Sequence, residues 1–164
     1  MVKQKEKEFI IIIVEVLYEG DFRNDKREGK GIYYFNREPF KGNRYEGDFK
    51  NDKKEGKGIL YSNNGNRYEG DWKNDKREGK GIEYFSDGDV YEGDHKNNNG
   101  EGIGVYYFKD GSIYEGHFRD GLFEGKGIIY YKNGDREIGD YSEGKEIGKH
   151  VLITKTGKVT FLYY

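Results

Sequence analysis

The 164 residues contain no cysteine and no alanine, and proline occurs once, at Pro39. Without cysteine there is no disulfide framework and no thiolate zinc site. The missing alanine, set against abundant Lys, Asn, Ile and Tyr, is a codon signature of an AT-rich genome, as in many protists. Hydrophobic residues are scarce, 33% against 37% charged, and mean hydropathy is −1.09. Such a balance argues against a compact globule and would also suit a disordered chain. The long apolar run, Phe9 to Leu17, is too short to span a bilayer and contains Glu15. The acids in the segment before it and the lack of a small-residue cleavage site argue against a signal peptide. Charge of one sign is lacking too. The formal net charge is −2 with both signs interspersed, which gives no nucleic-acid footprint and no polybasic membrane patch.

What is present is periodic. Aromatic residues make up 16% of the chain, which a disordered chain lacks, and they recur in phase. The stretch Tyr45 to Ile59, YEGDFKNDKKEGKGI, has copies beginning at Tyr18, Tyr68, Tyr91 and Tyr114. The last four starts are 23 residues apart, and the first interval is 27. A worn sixth copy begins on the same beat at Glu137. A fixed period of this size marks a repeat array, each unit contacting its neighbours.

Twenty-three residues hold two short strands and two turns. YEGDF alternates with period two, NDKKEG is polar, and GKGILY is β-branched and aromatic. Asn-Gly or Asp-Gly closes most units, a strong hairpin signal. The expected fold is all-β: an elongated, single-layer antiparallel meander of consecutive β-hairpins, twisted into a trough. Residues 1–17 form an N-terminal tail and an apolar strand. That strand either caps the sheet or pairs with another chain. Five repeats occupy 18–136, with an insertion at 36–42. The insertion is either a surface loop or a docking loop built on Phe40. A degenerate sixth repeat and a C-terminal strand occupy 137–164.

Counting each unit from its tyrosine as zero, the expected register pairs position 2 with position 14. This puts the aromatic residues at 0, 4 and 16 on one face. The rings would then line an uncovered trough, with the glycine at 2 giving a neighbouring ring room to lie. An uncovered apolar stripe suits an amphipathic helix. The candidate partner-binding residues are Tyr68, Trp72, Tyr84 and Tyr91, extended along the trough to Phe49, Tyr61, Tyr107 and Phe118. The apolar ends, including Phe161 to Tyr164, would dock neighbouring subunits.

YEGDFKNDKKEGKGILYSNNGNR resembles the MORN (membrane occupation and recognition nexus) repeat. The likeness rests on its Tyr-Glu-Gly opening, its Gly-Lys-Gly before the second strand and its closing Asn-Gly. It covers Tyr18 to about Gly134 strongly and the rest weakly. It implies a protein–protein scaffold of the kind found in radial-spoke heads and cytoskeletal assemblies. The expected location is cytoplasmic and cytoskeleton-associated, at a cilium, an axoneme or the cell cortex. Phospholipid binding as a membrane-tethering module is the less favoured alternative. Residues 45–67 carry a net +1 and residues 68–90 a net −3, whereas anionic lipid favours one persistent positive sign.

Nothing catalytic stands out. No GxxxxGK is followed by Ser or Thr, so there is no P-loop. Asp87-Gly88-Asp89 begins like a calcium loop but meets Tyr91 where a ligand is needed. His95, His117 and His150 occupy different repeat positions and are not spaced to share a metal. The carboxylates at positions 1, 3 and 10 recur in every regular unit and read as a solvated face. The expectation is a non-enzyme with no cofactor, no metal and no nucleic-acid partner.

Overall fold

The computed structural model describes residues Leu17 to Tyr164. Thirteen strands follow one another: β1 (Tyr18–Arg23), β2 (Lys26–Tyr34), β3 (Arg44–Lys50), β4 (Lys53–Tyr61), β5 (Arg67–Lys73), β6 (Lys76–Tyr84), β7 (Val90–Lys96), β8 (Asn99–Tyr107), β9 (Ile113–Arg119), β10 (Leu122–Tyr130), β11 (Arg136–Ser142), β12 (Lys145–Ile153) and β13 (Val159–Tyr163). They form one open antiparallel sheet in which spatial order is sequence order. No helix occurs among the described residues. The strand expected at Phe9 to Leu17 lies outside them except for Leu17, whose carbonyl accepts from the Tyr34 N–H at 2.8 Å.

Each regular unit is a seven-residue strand and a nine-residue strand joined by a two-residue turn. The strands are longer and this turn tighter than the polar NDKKEG segment suggests. Asn51 and Asp52 both have positive φ, 48° and 68°. After glycine, these are the residue types that enter that region most readily, and a type I′ turn needs positive φ at both central positions.

The turn is held by its neighbour as well as by its own sequence. Asp52 N donates to the Arg27 carbonyl at 3.1 Å, and Arg27 N donates back to Asp52 Oδ1 at 2.9 Å. Asn51 N donates to the Glu28 carboxylate at 3.0 Å. The pattern repeats from Glu55 to Asn74 and from Glu78 to Asn97. The glutamates at position 10 and the Asp or Asn at position 7 thus satisfy backbone N–H groups of adjoining hairpins. They are more than a solvated face.

The register differs from expectation by one residue. Within β3–β4, Gly47 pairs with Gly58, Glu46 with Ile59 and Tyr45 with Leu60. Position 2 therefore meets position 13, not 14, and a bulge follows Gly47. The same register recurs in β5–β6 and β7–β8. It places both glycines beneath the tyrosine at zero. A Cβ on Gly70 or Gly81 would run into the Tyr68 ring. The expected pairing kept tyrosine away from glycine in order to gather the apolar residues. The folded chain instead uses the glycine pair as a bed for each ring.

Candidate functional site

The register gives the sheet two unlike faces. On the tyrosine face, Tyr45, Tyr68, Tyr91 and Tyr114 lie over their glycines and are buried. Each hydroxyl donates to the backbone carbonyl three residues on: Tyr45 to Asp48 at 3.1 Å, Tyr68 to Asp71 at 3.0 Å, Tyr91 to Asp94 at 2.8 Å and Tyr114 to His117 at 3.1 Å. Burial pushes the phenols up, that of Tyr114 to about 12, so they stay protonated and able to donate.

The ring at position 4 of the next unit meets each tyrosine edge-to-face. Centroid distances are 5.1 Å for Tyr45–Trp72, 4.9 Å for Tyr68–His95 and 4.7 Å for Tyr91–Phe118. Such pairs contribute about 0.5–1.5 kcal/mol beyond area burial. Trp72 also donates Nε1–H to the Gly58 carbonyl at 3.1 Å. Phe49, Tyr68, Trp72, Tyr91 and Phe118 are therefore buried by their own chain, not left open in a trough. Their rings form the core of a one-layer sheet.

The other three candidates, Tyr61, Tyr84 and Tyr107, lie on the opposite face. There Arg44 sits 4.5 Å over Tyr61 and Arg67 sits 4.1 Å over Tyr84. Alternation along the strand separates them from the Trp72 set, because position 16 points away from position 15.

The tyrosine face carries a groove of about 410 Å³, lined in part by Phe35, Phe40, Leu60, Trp72, Lys54 and Arg77. Phe40 comes from the insertion at 36–42 and is exposed. Lys54 lies within 5.1 Å of the Trp72 ring. Burial pushes its ammonium below the usual lysine range, against the pull of Asp75. Leu60 and Lys54 are absent from the sequence candidates, although both stand at fixed positions, 15 and 9, beside the tyrosine ladder. The glutamate face carries instead a row of lysine–aspartate pairs between units, Lys30–Asp48, Lys57–Asp71 and Lys80–Asp94, each at 2.7 Å.

Among the described residues no group of three or more His, Cys, Asp or Glu side chains could hold a metal ion. No helix there is long and apolar enough to cross a membrane.

An open sheet made of one hairpin repeated along the chain defines a β-hairpin repeat array. The MORN repeat model matches at residues 18–37, 45–67, 68–90, 91–113 and 114–136, and the chain belongs to that family. No curated protein matches the sequence. Solved structures similar to it include the TCP domain of Drosophila melanogaster SAS-4 (dCPAP) in complex with a proline-rich motif of Ana2 (dSTIL). That match has 16% identity, covers 90% of this chain and 84% of that one, and has a TM-score of 0.49. Another is the TCP10 domain of Danio rerio CPAP, with 17% identity, 82% and 72% coverage and a TM-score of 0.46.

Proposed function

We propose that this chain is a non-catalytic protein–protein interaction scaffold, a structural subunit of a cytoplasmic cytoskeletal or ciliary assembly. The observation that carries this reading is the groove over Trp72. It is an apolar floor of Phe35, Leu60 and Trp72 with Lys54 and Arg77 beside it, on a sheet whose rings are already locked together. A rigid groove with an apolar floor and charged walls suits an amphipathic helix that sets its anchors into the floor. Leu60 and Phe40 would touch the partner directly, and Trp72 would form the bottom of the groove. Neighbouring subunits dock at the terminal strands. Phe161 and Tyr163 are exposed on β13, the last strand of the sheet, and an unpaired strand edge is a template for another chain.

The test is a pull-down of the tagged chain from source cells, with Leu60→Glu and Phe40→Ala as variants and circular dichroism to verify the fold. Partners present with wild type and lost from folded groove variants support the reading. Partners retained by both variants contradict it. Fractionation of the tagged chain with the detergent-resistant cytoskeleton tests the location.

A further inference from the structure

On the glutamate face, one ion pair recurs and then comes apart. In β3 and β5, Arg44 pairs with Glu46 at 2.9 Å and Arg67 with Glu69 at 3.5 Å. In β7 and β9 the arginine position holds Val90 and Ile113, while Glu92 and Glu115 remain. In β11 the arginine remains as Arg136 and the glutamate position holds Ile138. Among the described residues, Glu92, Glu115 and Arg136 form no ion pair within the chain. Two acids have lost their base, and two strands past Glu115 a base has lost its acid.

The same stretch loses other charge. The lysine of the lysine–aspartate row becomes Ile103 and the facing aspartate becomes His117. Apolar side chains are exposed across β7 to β13 on this face, around the Lys126–Asp140 pair at 3.1 Å. Ile103 is 65% exposed, and Tyr107, Tyr130, Ile138, Phe161 and Tyr163 are exposed with it. The pairings of β7 to β13 place all six on the side opposite the buried tyrosines.

We infer that this face is where a second copy of the chain packs, sheet against sheet. A two-fold axis along β10 lays β11 over the partner's β9, β12 over the partner's β8 and β13 over the partner's β7. Arg136 and Ile113 both pair with Tyr130, so they stand at one level along the strands. Arg136 is then offset by two residues from the partner's Glu115, the same offset that Arg44 has from Glu46. The contact forms again across the axis, as an isologous interface requires. The complementary halves of a broken ion pair lie on one face of one chain, so a copy of this chain supplies what each half lacks. An unrelated partner would need to supply both signs in the right places.

The size agrees. Seven strands at ~4.8 Å spacing, by four or five residues at ~3.4 Å, give roughly 500 Å² per copy. The pair then lies close to the ~1,000 Å² at which specific interfaces begin, which fits a reversible dimer better than an obligate one. This contact is on the opposite face from the groove, so a monomeric array would still leave the scaffold reading standing.

Sedimentation velocity of the full chain over a wide concentration range tests the inference. Wild type should shift from monomer to dimer as concentration rises. Arg136→Glu and Glu115→Arg should each remain monomeric while folded, because each sets like charges face to face. Mixed together, the two variants should dimerise again, since both contacts in the mixed dimer are restored. Wild type that stays monomeric overturns the inference. So does dimerisation that survives both reversals, or a mixture that fails to dimerise.

Discussion

His150 lies with its Nδ1 2.8 Å from a carboxylate oxygen of Glu137, and both side chains are buried. Glu137 stands where five other units have their tyrosine, and His150 stands where they have the second glycine of the bed. The ring has changed strands. The His150 imidazole lies over Gly139, where any Cβ would collide with it. Its Nε2 donates to the Asp140 carbonyl at 2.9 Å, the bond that a tyrosine hydroxyl makes in the other units. Glu137 also accepts from Tyr131 at 2.7 Å and from Tyr164 at 3.1 Å. The sixth unit keeps the packing scheme with the two residues exchanged in role.

This exchange predicts strong coupling. Glu137→Tyr alone brings a second ring into the space of His150, and His150→Gly alone leaves a buried carboxylate without its imidazole partner. Each should cost about 2–4 kcal/mol. The double variant rebuilds a regular unit and should lose less than the sum of the singles by more than ~1 kcal/mol. Urea denaturation of the four proteins measures this, and additive losses would count against it.

The glycine bed predicts a sharp contrast along the chain. Gly81→Ala drives a methyl group into the buried Tyr68 ring and should lower stability by about 3 kcal/mol, at the upper end for overpacking. Gly121 has φ +81°, and a methyl group there would meet nothing within 4 Å. Gly121→Ala should cost only the backbone strain, about 1 kcal/mol. Denaturation midpoints at unchanged slope provide the comparison.

His95 takes the place of the position-4 aromatic and is buried against Tyr68 and Tyr91, with no hydrogen-bond partner for either ring nitrogen. Burial, then the nearby Arg77 charge, pushes its pKa down to about 4. The neutral form belongs to the fold, so the unfolded chain binds the extra proton between its own pKa near ~6.5 and the folded value. This contribution is complete above the unfolded pKa and is lost as pH falls through the window, by up to ~3 kcal/mol. His95→Phe should therefore flatten the acid side of the stability profile. An unchanged profile in thermal melts would show that the His95 environment is not the cause.

The period, the hairpins and the polar closing turns are legible in the sequence because each rests on local chemistry repeated five times. Register is not. Side-chain alternation favours gathering the apolar residues, but ring-on-glycine packing wins, and a bulge after Gly47 shifts the second strand. Tyr61, Tyr84 and Tyr107 fall on the face opposite to the expected one for that reason. A signal for the sixth unit is present in the sequence. The glycine before the second strand's apolar run becomes His150 in the same unit whose tyrosine becomes Glu137. Two coincident departures from a strict pattern point to a contact between them.

Membrane association is expected to be weak. Lysines on the glutamate face are paired with aspartates, Lys30–Asp48 and Lys57–Asp71 among them, so little unpaired positive charge faces outward there. Each free base near an anionic surface contributes only ~1 kcal/mol. The chain should stay in the supernatant with anionic liposomes at physiological salt. Tight, salt-sensitive pelleting would favour a tethering role instead.

The central claim is that one open sheet, held by tyrosines lying on glycines, runs the length of the array. Small-angle scattering at a dilution where the chain is monomeric tests it most directly. The thirteen strands of the described residues at ~4.8 Å spacing predict a sheet of at least about 58 Å, and hence a maximum dimension near or above ~60 Å. A distance distribution typical of a compact sphere, with a radius of gyration of about 15 Å for this chain length, would contradict it.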